Sequence, residues 1–328
     1  MNGRKENEIK TNKCVERIIK KSPGYVKRYY KTMNDKSYTT KHKYITYLLD
    51  FMNFIQDECQ LDIRNIECFK EVKSSTINLY IANLDDISDA CKAARLYGVK
   101  NFFNFLVADE IIPSNPCDRI AMPRDKKEHK ITYLTKEEID IVKNNIMNGC
   151  GSDIAKTKQD KWRSRDYAII MLGLSLGLRV TSICEIDVRD INMETNELKI
   201  IEKGNKMRTV MFSDHIKDIL DDWIQDRKVK LIESGKKSDA LFISNKLTRI
   251  SSRTVAYLVE KYTYNIDKHI TPHKLRSTCA TNVYGATGDI YLTADILGHK
   301  NIANTRRYAS ISDERKKKAA TAMDDILF

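Results

Sequence analysis

Three of the chain's five prolines fall inside one stretch, "IIPSNPCDRIAMPRDKKEHK" at positions 111–130, which ends in a run of mixed charge. Proline removes a backbone donor and disfavours helix in the residue before it, so no long regular element passes through here. Residues 113–130 therefore read as a linker, and a chain of 328 residues is long enough for about two domains. On the N-terminal side, Tyr44, Leu48, Phe51 and Ile55 fall at i, i+4, i+7 and i+11, a single buried helical stripe. Leu96, Val99, Phe103 and Leu106 repeat the pattern behind an N-cap at Ser88. The expectation is a small helical bundle over 21–112, preceded by a short polar lead at 1–20.

Beyond the linker, Thr135 and Glu138 form a capping-box pattern that restarts helix. Tyr167, Ile170, Met171, Leu174 and Leu178 mark a helix apolar on most faces, broken at Gly177. "NELKIIEKGNKMRTVMFS" reads as two short strands joined at "KGNK", and further helices cover "TPHKLRSTCATNVYGATG" and "DIYLTADILGHK". The class is mainly α (α+β): a helical bundle, then a larger, mostly helical domain with one small antiparallel sheet.

A net charge of +12 points to an anionic partner. Residues 1–50 alone carry 13 Lys and Arg against 5 Asp and Glu, interleaved with Tyr25, Tyr29, Tyr30, Tyr44 and Tyr47. That mixture suits nucleic acid, and equally a solvated helical face over core tyrosines. Eight cysteines without a C-x-x-C pair support neither a zinc ribbon nor a redox motif. The start "MNGRKENEIK" is too polar for a signal peptide. The most apolar run, "YAIIMLGLSLGL" at 167–178, is short of the ~20 residues a bilayer needs. The composition reads as that of a soluble protein of a reducing compartment, with no membrane partner.

Four short stretches carry side chains suited to phosphate chemistry, each with an ordinary alternative. In "PHKLRS", Pro272 sits where a helix can start, and His273 and Arg276 share a face at i and i+3, opposite Leu275, Cys279 and Val283. An imidazole and a guanidinium at a helix start suit a phosphate; the alternative is a solvated polar face. In "LGLRVTSICEIDVRDI", Arg179 lies among apolar residues and needs a nearby partner, either a structural acid or a bound oxyanion. Lys203 opens the turn "EKGNKMRTV", where turn lysines usually serve solubility. In "LGHKNIANTRRY", Gly298 is a helix-ending candidate and Asn301 a cap for the next helix, so His299 lies in a tight corner nine residues before Tyr308.

Taken in order, Arg179, Lys203, His273, Arg276, His299 and Tyr308 resemble the tyrosine recombinase (phage integrase) family, with an Xer-like organisation. The matching stretches are "GLRV", "EKGNKMR", "HKLR" and "LGHKNIANTRRY", and the likeness spans roughly residues 20–325. Two positions depart from the pattern of many relatives. Ser182 stands where a carboxylate often follows the first arginine, and Ser277 where a second histidine often follows the motif's arginine. Both departures are expected to alter arginine orientation or rate without removing a reacting group.

The resemblance implies a SAM-like core-binding domain at 21–112, a catalytic domain at 131–312, and a C-terminal helix at 313–328 docking on a neighbouring protomer. Ala319, Met323 and Ile326 would form that helix's apolar stripe, and packing within one chain is the alternative. It implies a site-specific recombinase acting on double-stranded DNA through a 3′-phosphotyrosine intermediate, without metal or other cofactor. Arg179 and Arg276 would grip the non-bridging oxygens and Tyr308 would attack. A phenol of pKa about 10 needs a proton acceptor, for which His273 is suited. Lys203 would protonate the leaving 5′ oxygen, and His299 would donate a hydrogen bond to the phosphate. Arg306 and Arg307 would lie beside the DNA backbone. The implied assembly is a homotetramer on DNA in the cytoplasm, with room for a second recombinase or an accessory factor. A type IB topoisomerase-like relaxing enzyme, a metal-dependent DDE transposase or nuclease, and a non-catalytic DNA-binding module are the competing readings.

Overall fold

A computed structural model describes residues 3–123, 131–202, 206–299 and 301–309. The chain forms two compact units, Lys5–Glu128 and a second running from His129.

The first is built on helices α1 (Gly3–Lys20), α2 (Gly24–Thr32), α3 (Tyr38–Cys59), α4 (Ser74–Ala82) and α5 (Asp89–Ala108). Side-chain oxygens of Ser37 and Ser88 cap α3 and α5, each accepting from the amide three residues on. Leu48, Phe51 and Ile55 from α3 and Leu96, Val99, Phe103 and Leu106 from α5 are fully buried or nearly so, whereas Tyr44 is only partly covered. Phe51 meets Tyr80 edge-on with ring centroids 5.1 Å apart, and Phe69 meets Phe102 at 4.9 Å. Tyr25 and Tyr29 belong to this core, their hydroxyls donating to the Ile63 carbonyl and to Asn101. Those two tyrosines of the basic N-terminal segment are therefore structural.

Two expectations need correction here. The polar lead is helix α1, which buries Val15 and Ile19 in the same core. The linker does not leave the bundle at 113 either. Pro116–Arg119 form a 3-10 turn that buries Cys117 in that core. Asn115 caps the turn by accepting from the Cys117 amide at 2.8 Å and donates to the Lys100 carbonyl at 3.0 Å. Prolines stopped the helix but did not stop the packing. Residues 124–130 lie outside the described ones.

The second unit holds helices α6 (Lys136–Asn148), α7 (Asp153–Asp160), α8 (Arg163–Ser175) and α9 (Val180–Glu185). Strands β1 (Ile191–Asn192), β2 (Glu197–Glu202) and β3 (Lys206–Met211) follow. Then come α10 (Asp214–Ser234), α11 (Ser252–Tyr262), α12 (Pro272–Thr287), α13 (Ile290–Leu297) and α14 (Ala303–Ala309). The capping box is reciprocal: the Thr135 amide donates to Glu138 at 2.7 Å and the Glu138 amide to Thr135 at 3.3 Å. The sheet is antiparallel in the order β1-β2-β3, with Leu198 opposite both Ile191 and Val210, and Glu202 opposite Lys206. β1, a two-residue strand, goes beyond the expected hairpin. Helix α8 runs through the core, burying Ala168 to Leu174 without a break, which fits a helix apolar on most faces. No helix among the described residues is long and apolar enough to cross a membrane.

Candidate active site

The corner between α8 and α9 turns at Gly177, whose φ of +57° is in the left-handed region. A Cβ there would sit 2.7 Å from a Leu297 methyl group, so only glycine lets this corner lie against the end of α13. The turn delivers Arg179 to the N-cap of α9. Its Nη1 donates to Glu202 Oε1 at 2.8 Å, so the partner that its apolar setting demanded is a carboxylate at the end of β2.

Helix α12 begins at Pro272, one turn before Arg276. The solvated-face reading fails for this arginine, which is 2% exposed. Its Nη1 donates to the Gly177 carbonyl at 2.6 Å and its Nη2 to the Leu297 carbonyl. The guanidinium thereby ties the ends of α8 and α13 together. Burial, and then the Arg179 charge, push its pKa down to about 10 against opposing pulls from Glu202 and Tyr308, so it stays cationic at neutral pH. Leu275 and Cys279 are buried as expected, and Val283 only partly. His273, in the first turn, is exposed at its surface, so the solvated-face reading holds for it and not for Arg276. Desolvation by the surrounding protein first, then Arg276, Arg307 and Arg179, hold its pKa below the ordinary histidine value.

Gly298 ends α13 with φ +62°, and the His299 amide closes the turn on the Ala294 carbonyl at 2.9 Å. His299 Nδ1 is 2.8 Å from the hydroxyl of Thr305, a fully buried residue of α14. Burial, followed by Arg276, Arg179, His273 and Arg208, pushes the His299 pKa down to about 4, so the ring is neutral near pH 7. Asn301 accepts from the Ala303 amide at 2.9 Å and starts α14. One turn beyond Thr305, Tyr308 is 3% exposed and packs with Ala280, Leu297 and Ile131. Its neighbours on α14, Arg306 and Arg307, are exposed.

Five of the six sequence-derived candidates thus converge: Arg179, His273, Arg276 and His299 act electrostatically on one another, and Tyr308 acts on Arg276. Lys203 lies outside the described residues, between Glu202 and Lys206 at the facing ends of β2 and β3. Tyr308 is enclosed rather than presented. The two departing serines address backbone instead of arginine: Ser182 donates to the Ile201 carbonyl and Ser277 to the His273 carbonyl. Among the described residues, no group of three His, Cys, Asp or Glu side chains could hold a metal ion.

Three further side chains belong to the cluster and escaped sequence reasoning. Arg208 on β3 donates from Nη1 to the Asp295 and Ile296 carbonyls at 3.0 and 2.9 Å, and its Nη2 lies 3.3 Å from Glu202. Glu202 receives both arginines, and Thr305 holds His299. Thr305 had a faint signal, lying three residues before Tyr308 and hence one helical turn away. Glu202 and Arg208 sit inside the already conspicuous "EKGNKMR".

Residues 134–315 match the model of the phage integrase family. The chain is 30% identical over 311 residues to the tyrosine recombinase XerC of Caldanaerobacter subterraneus subsp. tengcongensis, covering 89% of this chain and 83% of that protein. In fold it is similar to the XerH site-specific recombinase bound to palindromic difH substrate in a post-cleavage complex. The TM-score there is 0.68 at 20% identity, covering 91% of this chain and 84% of that one. It is likewise similar to a lambda integrase tetramer bound to a Holliday junction, with a TM-score of 0.64 at 17% identity over 84% of this chain and 76% of that one.

Proposed function

The chain belongs to the phage integrase family and is a site-specific DNA recombinase, and on that premise we propose that Tyr308 is its nucleophile. The observation that carries this assignment is the placement of a phenol beside a buried guanidinium, Arg276, within a cluster that adds Arg179 and two neutral-leaning histidines.

The Tyr308 hydroxyl oxygen attacks the phosphorus of a DNA phosphodiester, and the P–O5′ bond breaks. The phenolic proton passes to His273, whose lowered pKa leaves it unprotonated and able to accept near pH 7. The departing 5′ oxygen takes a proton from Lys203. Negative charge growing on the non-bridging oxygens is stabilised by Arg179 and Arg276, a role for fixed cations that needs no metal. When the Thr305 hydroxyl donates to Nδ1 of His299, the ring proton sits on Nε2 and is available to the phosphate. The products are a 3′-phosphotyrosine and a free 5′ hydroxyl. Because the ester keeps its bond energy, a 5′ hydroxyl from another duplex reverses the step and completes exchange.

Tyr308 at 3% exposure meets no phosphate until the packing of α14 on Ala280 and Leu297 opens. Opening on DNA is therefore part of the reaction. Exchange between two duplexes involves four strands and so four tyrosines, which makes a homotetramer the working assembly, acting in the cytoplasm where the DNA is. The first unit serves as the core-binding domain, and the docking helix assigned to 313–328 lies outside the described residues. Most contacts of a chain with net charge +12 fall on phosphates, so binding weakens steeply with salt.

The test is sequencing of DNA trapped covalently on the protein, followed by nicked duplexes of the recovered sequence. Wild type forms an adduct mapped to Tyr308, in excess chelator as well as without it. Tyr308→Phe binds the duplex and forms none. An adduct that persists in Tyr308→Phe, or activity lost in EDTA and restored by Mg²⁺, overturns the assignment. Supercoil relaxation without two-site products would favour the topoisomerase-like reading.

A further inference from the structure

Glu202 is an acid in a place that otherwise collects cations. Arg276, Arg179 and Arg208 all act on His299, and the Glu202 carboxylate stands among them. It accepts from Arg179 Nη1 at 2.8 Å and lies 3.3 Å from Arg208 Nη2, and its own side chain is only 14% exposed. The backbone is shaped around it: a Cβ on Gly298 would come within 2.5 Å of Oε1 and 2.7 Å of Oε2. The left-handed turn that leads into His299 is thus packed directly on this carboxylate. Arg208 extends the connection, since its other arm holds the Asp295 and Ile296 carbonyls of α13. One turn after Arg179, where α9 could have offered its own acid, stands Ser182 bonded to the Ile201 carbonyl.

We infer that Glu202 is a positioning residue for DNA cleavage. Its carboxylate aims the Arg179 guanidinium into the site and, with Arg208, fixes the end of β2 against the Gly298–His299 corner. The inference rests on Arg179 being a phosphate clamp. A guanidinium offers five N–H donors in one plane, so a single bond to Oε1 orients the plane and leaves the remaining edge for phosphate oxygens. A long cationic side chain without this partner would keep its charge and lose its direction.

The two roles of an acid here, aiming an arginine or occupying the phosphate's place, predict opposite results. Removing an aiming group slows cleavage, and a misplacement of about 1 Å costs on the order of 10²-fold. Removing an occupant speeds cleavage. The measurement uses the full chain and the nicked duplex recovered from wild-type adducts, with binding by titration and adduct formation in single turnover. Glu202→Gln is expected to bind this duplex at least as tightly as wild type, since a negative charge is gone, and to cleave about 100-fold more slowly. Glu202→Asp, which keeps the charge, is expected within about tenfold of wild type. Thermal unfolding of both variants separates a lost fold from a lost orientation. Cleavage by Glu202→Gln at or above the wild-type rate overturns the inference, and so do equal losses in the Gln and Asp variants. No adduct from wild type would instead overturn the Tyr308 reading on which the inference stands.

Discussion

Replacing Arg276 by lysine keeps the charge and removes the fork, and the structure fixes what that costs. Two carbonyls at the ends of different helices, Gly177 after α8 and Leu297 closing α13, are each served by a separate guanidinium nitrogen. An ammonium has three N–H donors, but all on one nitrogen at the end of a shorter side chain, so it cannot stand where both guanidinium nitrogens stand. At least one of these carbonyls is expected to lose its donor in a region where the arginine is 2% exposed. A hydrogen bond to a charged group contributes about 1.5–3 kcal/mol, so the loss is of that size. For a unit of 150–250 residues, each kcal/mol moves the midpoint by about 2–4 °C, so Arg276→Lys should melt roughly 3–12 °C lower. Calorimetry of the full chain reads this in the transition of the unit His129–Phe328. Adduct formation on the nicked duplex should fall by about 10²–10³ as one arm of oxyanion stabilisation disappears. A melting shift under about 1 °C with unchanged cleavage would show that the fork neither braces the helix ends nor holds the phosphate.

Gly177→Ala forces φ +57° on a residue with a Cβ and drives that carbon to 2.7 Å from Leu297. It should destabilise by at least about 1–2 kcal/mol from the backbone alone, and its effect should not add to that of Arg276→Lys, which shares the Gly177 carbonyl. Gly285→Ala is the control. It sits within α12, where the new Cβ would meet nothing among the described residues within 4 Å beyond the helix's own adjacent backbone, and should stabilise by up to about 1 kcal/mol in the same melts. Stability should also depend on pH through the histidines. His299 titrates near 4 when folded and near 6.5 when unfolded, and His273 is lowered in the same direction, so the unfolded chain binds more protons in that window. Stability therefore rises with pH from about 4 to about 6.5 and levels off above it, and His299→Gln should flatten that rise; an unchanged slope would refute the attribution.

What could be read from the sequence was what local rules govern. The α3 and α5 stripes, the Ser88 cap, the Thr135–Glu138 box and the β2–β3 pairing all depend on neighbours within a few residues. The misreadings have the opposite character. Val15 and Ile19 are two apolar positions in a charged stretch, too sparse to declare that α1 packs on the bundle. The Pro116 turn looked like a connector because proline speaks about hydrogen bonding and says nothing about what Cys117 packs against. In the site, two of the three residues that reasoning missed act across a wide gap in sequence, and only Thr305, six residues from His299, acts locally. Glu202 reaches Arg179 from 23 residues away, and Arg208 reaches α13 from 87. The burial of Arg276 and Tyr308 is likewise a product of how α8, α12, α13 and α14 meet, which no spacing within "HKLRS" or "NTRRY" encodes.

That burial bears on why the cluster is built from arginine. Every described cation at its centre already has a partner in the protein: Arg276 has two carbonyls, Arg208 two carbonyls and Glu202, and Arg179 has Glu202. Had these been lysines, holding the fold and holding a phosphate would compete for one nitrogen. A guanidinium carries five N–H donors, and the two bonds from Arg276 to Gly177 and Leu297 occupy two of them. The same side chain can therefore brace α8 against α13 and still face an oxyanion, with its orientation set before any ligand arrives. Preorganisation of this kind has a physical consequence for the order of events. Arg179, with its side chain 36% exposed, needs little rearrangement to receive a phosphate, whereas Arg276 at 2% exposure and Tyr308, packed with Ala280 and Leu297, are reached only once that packing opens. Binding and cleavage should then separate in time, with a DNA-bound state that forms quickly and an adduct whose rate is set by the release of α14. Loosening the tyrosine's packing with Leu297→Ala should consequently raise the rate of adduct formation relative to the rate of binding, even as it lowers the melting temperature. If the adduct instead forms at the binding rate in wild type, the tyrosine's enclosure does not limit the reaction.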